Sequence, residues 1–200
     1  MLTIYHVSGT RSVRPIWLCH ELDLPVRIET IDFSSRFRST AEWRAISPAG
    51  KVPILTDGDL TMFESGAMVD YILERYGQGR LRPPPGTEQS ALHHQWCWFS
   101  EATLIRPLGL PRLLKDRTEG AESLVADAVG KTELCLEVVE QALSRSDYLP
   151  GPEFGAADIM MGFSLHLMTQ VGVLDDRYPQ ALAYLQRLRS REAFGRAISA

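Results

Sequence analysis

The chain has 200 residues, 44% of them apolar and 23% charged, with a formal net charge of -4. That is enough for one large domain or two small ones with a packed core. A mildly acidic chain with no long run of Lys or Arg lacks the electrostatic footprint of a nucleic-acid binder, so no nucleic-acid partner is expected. No apolar run reaches membrane-spanning length, and the chain opens on a strand-like Leu2-Thr3-Ile4-Tyr5 rather than on a basic region and an apolar signal segment. A cytoplasmic protein with no membrane partner is therefore expected. The three cysteines, Cys19, Cys97 and Cys135, are odd in number, scattered and set in apolar helical patterns. They read as reduced core thiols, and neither a disulfide framework nor metal-ligand spacing is present.

In chain order, Leu2 to Val7 reads as a strand and Ser8-Gly9-Thr10 as the turn after it. A helix follows. Thr10 or Ser12 can cap it, Pro15 sits in its first turn, Val13, Ile16, Trp17 and Leu22 form its apolar face, and Pro25 ends it. Val26 to Phe33 alternates with period two and reads as a second strand, so strand, helix and strand occupy about 30 residues, the length of a right-handed parallel crossover. A polar segment with a short helix around Thr40 to Arg44 leads to Ser47-Pro48-Ala49-Gly50-Lys51-Val52-Pro53-Ile54-Leu55. Here Pro53 stands where a ladder donor is needed. Either the strand lies at a sheet edge, or the Val52-Pro53 bond is cis and turns the backbone of Val52 outward. Two strands, Val52 to Leu55 and Leu60 to Phe63, flank the hairpin signal Asp57-Gly58-Asp59, and Glu64 to Tyr76 reads as a closing helix.

Glycine flanking a proline run at residues 77–86 marks a semi-rigid linker. The expected organisation is a domain over 1–77, a linker over 78–86 and an all-helical domain over 87–200. In the latter, one helix carries Leu92, Trp96, Phe99 and Thr103, and another carries Leu124, Ala128, Leu134, Val138 and Leu143. A buried helix spans Phe154 to Val171, and a last one runs from Pro179 through Leu188 to Phe194. Asp158, an acid inside an apolar run, is expected at N3 of the buried helix, accepting amide bonds, with Gly155 as a cap lacking a side chain. A serine at 155 is then expected to raise stability by up to about 1 kcal/mol. The adjacent His93 and His94 point about 100° apart on a helix and read as surface or interface residues.

Taken together, the Ser-Pro-x-Gly-Lys-Val-Pro-x-Leu loop, the Glu64-Ser65 pair, Arg11-Ser12-Val13-Arg14-Pro15-Ile16-Trp17-Leu18, Trp98-Phe99-Ser100-Glu101 and Phe154-Gly155-Ala156-Ala157-Asp158-Ile159 resemble the cytosolic glutathione transferases, bacterial or fungal-like types in particular. The resemblance covers the whole chain. It implies an α/β plus all-α protein: a thioredoxin-like N-terminal domain of βαβ-α-ββα order with Pro53 cis, then an all-helical domain carrying the pocket for the electrophile. It also implies a detoxifying transferase that is a homodimer, with glutathione as co-substrate and no metal. Lys51 and Arg38 would hold the glycyl carboxylate, Val52 would pair with the cysteinyl part as an added strand, and Glu64 and Ser65 would take the γ-glutamyl end at a helix N-terminus.

Glutathione transferases attack electrophilic carbon with the glutathione thiolate. A thiol of pKa about 8.5 is only a few per cent ionised at neutral pH, and lowering it by about two units takes roughly 2.7 kcal/mol of preferential thiolate stabilisation. The turn offers Thr10 and Ser12, with Ser8 third, as the activating hydroxyl, and holds no tyrosine or cysteine at that place; Tyr5 and His6 fall too early, within the strand. Two alternatives stay open: a non-catalytic, transferase-like binding or regulatory protein, and a glutathione-dependent reductase or isomerase.

Overall fold

In β1 (Leu2–His6) the alternate residues Leu2, Ile4 and His6 are buried. The strand is flanked by parallel β2 (Val26–Thr30) and antiparallel β3 (Ile54–Asp57), and β4 (Leu60–Phe63) closes the sheet in the order β2-β1-β3-β4. The computed structural model describes residues 1–113 and 120–200. They form two compact units, Met1–Arg80 with Ser190–Ala200, and Leu81–Arg189. The first is the thioredoxin-like arrangement, a four-stranded mixed sheet with helices, and the second is helical.

In the first unit α1 (Val13–Glu21) buries seven consecutive residues from Val13 to Cys19 and packs against α4 (Ser65–Tyr76), whose Met68, Val69, Ile72 and Leu73 recur at helical spacing. Two short helices, α2 (Ser35–Arg38) and α3 (Ala41–Ile46), fill the crossover between β2 and β3. Ser34 and Thr40 cap them, accepting from the N–H groups of Phe37 and Trp43. The last stretch of chain returns to this unit. Instead of running unbroken to Phe194, the predicted final helix stops at Arg189 and restarts as α10 (Glu192–Ile198), because Arg191 adopts an extended conformation. Arg191 forks onto Glu21 with both bonds at 2.7 Å, and Phe194 stands edge-on to Trp17 with ring centroids 4.8 Å apart. A bidentate pair of this kind fixes α10 on α1 more firmly than two single contacts would.

The second unit comprises α5 (Glu88–Trp98), a π-helical segment (Phe99–Leu104), α6 (Ile105–Leu113), α7 (Glu122–Leu143), α8 (Ala156–Gln170) and α9 (Pro179–Arg189). The helix expected to carry Leu92 to Thr103 thus changes winding midway. The extra residue per turn brings Ser100 inward, where its hydroxyl donates to the Met160 carbonyl at 2.8 Å and pairs with Ser164. On α7 the buried stripe is Ala128, Thr132, Leu136, Val139 and Leu143, whereas Leu124, Leu134 and Val138 are exposed. Thr132 is tolerated there because its hydroxyl bonds the Ala128 carbonyl at 2.9 Å. No helix among the described residues is long and apolar enough to cross a membrane.

Asp158 lies at N3 of α8, fully buried, and accepts from Leu149 N, Gly155 N and the Tyr184 hydroxyl at 2.8, 2.7 and 2.6 Å. Burial first, and the neighbouring Asp158 second, hold the Tyr184 phenol well above its ordinary pKa, so it remains a donor. The expected benefit of serine at 155 needs correction. A Cβ there would sit 3.1 Å from the Leu81 carbonyl oxygen, which is itself fixed by a 2.8 Å bond from Ala156 N. His93 also departs from expectation: it is 2% exposed, and burial pushes its pKa down to about 4, with His94 and Arg82 adding to the effect. Its partner is Cys97, whose sulfur is 3.7 Å away, so the helix turns only His94 outward.

Candidate functional site

Strand register alone gathers the candidate residues at one end of the sheet. Tyr5 pairs with Ile54, Ile54 with Phe63, and His6 with Thr30. The end of β1, the start of β3, the end of β4 and the end of β2 therefore coincide. Each of these edges leads into a predicted site segment: the Ser8 to Ser12 turn, the Lys51-Val52-Pro53 loop, Glu64-Ser65, and the stretch reaching Arg38.

The loop before β3 is held by Ser47. Its buried hydroxyl accepts from Lys51 N at 2.9 Å and donates to the Lys51 carbonyl at 2.8 Å, while Gly50 N closes a turn onto the Ser47 carbonyl at 2.8 Å. Gly50 has φ +63, a left-handed conformation that favours glycine, and a Cβ there would lie 2.7 Å from the movable end of Arg44 and 3.2 Å from the Arg38 carbonyl oxygen. Past this turn the Val52-Pro53 bond is cis, and β3 begins at Ile54. Among the described residues, the N–H and carbonyl of Val52 take part in no hydrogen bond, which leaves a peptide edge beside the sheet end. Lys51 is exposed.

Glu64 has φ 73 and ψ 110, a left-handed-side conformation unusual for a side chain with a Cβ, and it hands the chain into α4 without a side-chain cap. The first amides of a twelve-residue helix then point out of the sheet end with the positive pole of its dipole. Ser65 is 3% exposed, and its hydroxyl accepts from Arg14 Nη1 at 3.2 Å. Arg14 is fully buried within α1. A guanidinium there adds fixed positive charge behind the helix start, which favours an anionic ligand group in front of it.

The three turn hydroxyls occupy different environments. Ser8 is exposed, Thr10 is half-buried, and Ser12 is fully buried. Neither of the two expected caps performs that role. Ser12 stands at the N-cap of α1 in a helical conformation with no side-chain cap bond. Its Oγ lies 2.7 Å from Thr10 Oγ1 and 2.8 Å from His6 Nδ1, while Thr10 Oγ1 reaches the Val7 carbonyl at 2.7 Å. Thr10 is thus the only one of the three that combines access with a network behind it. Cys19, close in sequence, plays no such part: it is buried, and its thiol is pushed up to about 12.

Arg38 lines a cavity of about 410 Å³ with Ser35, Ser39, Arg44, Ala49 and Gly50. Its guanidinium carbon stands 4.6 Å from the centre of the Phe33 ring, and its buried Nε has no hydrogen-bond partner. Sequence reasoning proposed Arg38 and Lys51 for this side of the site and missed Arg44, whose place beside Gly50 follows from the turn geometry. It also missed Arg14 and His6. Each had a signal: a cation inside the apolar stretch Val13 to Leu18, and a histidine at the core-facing, period-two position of β1.

The fold and the sequence have counterparts in known proteins. Family models described as "Glutathione S-transferase, N-terminal domain" and "Glutathione S-transferase, C-terminal domain" match residues 5–83 and 122–187. Glutathione S-transferase 4 of Zea mays is 32% identical, over 76% of this chain and 71% of its own length. Glutathione S-transferase GstB of Escherichia coli is 25% identical over 99% and 98%. The glutathione transferase URE2P8 of Phanerochaete chrysosporium, solved with oxidized glutathione, superposes with a TM-score of 0.89 at 21% identity, covering 98% of this chain and 92% of that one. The chain belongs to the glutathione S-transferase family.

Proposed function

We propose that the protein binds glutathione at this sheet end and transfers its thiolate to small electrophiles. The backbone of Val52 pairs with the cysteinyl part, the α4 N-terminus with Glu64 and Ser65 takes the γ-glutamyl end, and Lys51 and Arg38 hold the glycyl carboxylate. Thr10 donates to the sulfur, and the domain over 87–200 supplies the electrophile pocket. A cytoplasmic homodimer belongs to the same reading. Family membership supports it, as do the glutathione-bound relatives of the same fold. The single observation that carries it is the convergence, by strand register, of an unpaired peptide edge, a helix start backed by a buried arginine, and a half-buried hydroxyl.

Calorimetric titration with glutathione, followed by conjugation of an activated aryl halide, tests the reading. Wild-type protein is expected to bind with a Kd below about 1 mM. Thr10→Ala is expected to keep that affinity within about threefold and to lose one to two orders of magnitude in kcat/KM, roughly the effect of deleting one hydrogen bond to a developing anion. No binding at millimolar glutathione would refute the reading, and tight binding without turnover would leave only its binding half.

A further inference from the structure

At the end of β1 an unbroken hydrogen-bonded chain leads from an accessible hydroxyl to a buried base. Thr10 Oγ1 is 2.7 Å from Ser12 Oγ, Ser12 Oγ is 2.8 Å from His6 Nδ1, and His6 Nε2 is 3.1 Å from the Ala200 backbone oxygen. The Ala200 oxygen can only accept, so the proton of a neutral His6 ring sits on Nε2 and Nδ1 is left as an acceptor. With His6 neutral the Ser12 proton points at His6, and Ser12 Oγ offers a lone pair to Thr10, whose single proton turns to it from the Val7 carbonyl 2.7 Å away. Two members of the chain, His6 and Ser12, are fully buried, which leaves Thr10 as its outward end.

We propose that His6 is a positioning residue that, through Ser12 and Thr10, accepts the proton of the bound glutathione thiol; this rests on the glutathione-binding reading above. The transfer balances atom by atom. The thiol S–H breaks and its proton joins Thr10 Oγ1. The Thr10 proton passes to Ser12 Oγ, and the Ser12 proton passes to His6 Nδ1. The product is a thiolate accepting from Thr10, Thr10 accepting from Ser12, and an imidazolium donating through Nδ1 to Ser12 and through Nε2 to Ala200. No hydroxyl is left ionised, and the net charge of the site is unchanged. Thiolate and imidazolium support each other electrostatically, as in other thiol–histidine pairs.

The surroundings suit a base that is neutral at rest. Burial lowers the His6 pKa most, and the hydrogen bond to the Ala200 backbone oxygen acts in the opposite sense. The charged groups on the neighbouring elements are engaged elsewhere or exposed. On α1, Arg14 is directed at Ser65, and Arg11 is exposed. On β2, Glu29 pairs with Arg27. On β3, Asp57 takes the hydroxyls of Tyr71 and Tyr76, and on α10, Glu192 and Arg196 are exposed. The readiness of His6 to accept a proton is thus set by the hydroxyl chain and by the charge at its far end.

Proton counting on the wild-type chain tests the relay without a variant. Glutathione is titrated at neutral pH in buffers of different ionisation enthalpy, and thiolate formation is followed by its ultraviolet absorbance. The relay predicts thiolate absorbance with close to no proton released to the buffer. Thiolate formation with about one proton released per glutathione would overturn it, as would binding with no thiolate signal. In His6→Asn and Ser12→Ala, checked for folding by circular dichroism, the thiol pKa is expected to return toward about 8.5. At neutral pH kcat falls about tenfold while KM for glutathione moves less than about twofold. Thr10→Ser, which keeps the hydroxyl, should retain the wild-type pH profile. Folded variants with an unshifted profile would overturn the relay alone, whereas a wild type that fails to bind glutathione would overturn the binding reading and the relay together.

Discussion

Two buried polar networks, one in each unit, use similar distances to opposite ends. Around Asp158, three donors from Leu149, Gly155 and Tyr184 all terminate on one fully buried carboxylate. Around Ser12, the bonds run in a line through an imidazole and two hydroxyls to a half-buried Thr10, whose own hydroxyl also reaches the Val7 carbonyl. The first is closed: every proton has one place to be, and moving any of them leaves a buried group unpaired. The second is open at one end, and its protons can shift in concert from one arrangement to another without a group losing all its partners. A closed network of this kind fixes geometry, whereas an open one can store a proton.

Removing the centre of the closed network should have the largest effect. Asp158→Ala strands a buried amide, a half-buried amide and a buried phenol, and at about 1 kcal/mol for each unsatisfied group the loss is expected to reach about 3 kcal/mol. Chemical denaturation should show it as a lower midpoint with an unchanged slope. A loss below about 1 kcal/mol would mean that water replaces the carboxylate and that the network is not closed.

Acid separates the networks next. His6 has a folded pKa below its unfolded value of about 6.5. The unfolded chain therefore binds the extra proton first, and the contribution of His6 is fully present above that pH and is lost as pH falls below it. His93, lowered to about 4 chiefly by burial, and His20 and His166, also lowered chiefly by burial, act in the same direction. The wild type should thus lose stability from about pH 6.5 downward, with His93 contributing on the order of 3 kcal/mol. The His6 share is the difference between the wild-type and His6→Asn melting curves. Equal pH slopes for the two proteins would deny that His6 is held neutral by its burial.

Most of the first unit was legible because period-two and helical patterns, Pro25, the Asp57-Gly58-Asp59 hairpin and the Ser47 to Leu55 loop each signal a local conformation. The order of strands and helices follows from them, and the register then gathers Val52, Ser65 and Thr10. What escaped were consequences of the third dimension. His6 looked too early in the strand to matter, yet its core-facing position is what brings it under Ser12. Arg14 and Arg44 became site residues only when Ser65 and Gly50 approached them. In the helical unit, Leu124, Leu134 and Val138 mark α7 but lie on its exposed side, and the hydroxyl of the buried Thr132 is bonded within its own helix. The restart of the chain as α10 on α1 depends on Arg191 meeting Glu21, a pairing 170 residues apart that no local pattern encodes.

The smallest predicted effect concerns the edge of the closed network. Gly155 caps α8 in an extended conformation, φ -147 and ψ -176, so no strain bars a side chain there. Serine would add a hydroxyl for the first-turn amides, but its Cβ meets the Leu81 carbonyl at 3.1 Å, and that carbonyl cannot retreat without lengthening its bond to Ala156 N. The gain of serine over glycine at a cap is only a few tenths of a kcal/mol, about the size of the crowding cost, so Gly155→Ser should melt at or slightly below wild type. Gly155→Ala carries the same Cβ without the hydroxyl and should fall about 1 kcal/mol below the serine variant. Because crowding and backbone entropy are nearly common to both, their difference isolates the cap. Equal midpoints for serine and alanine would show that the Asp158 carboxylate already leaves the first turn of α8 no donor worth capping.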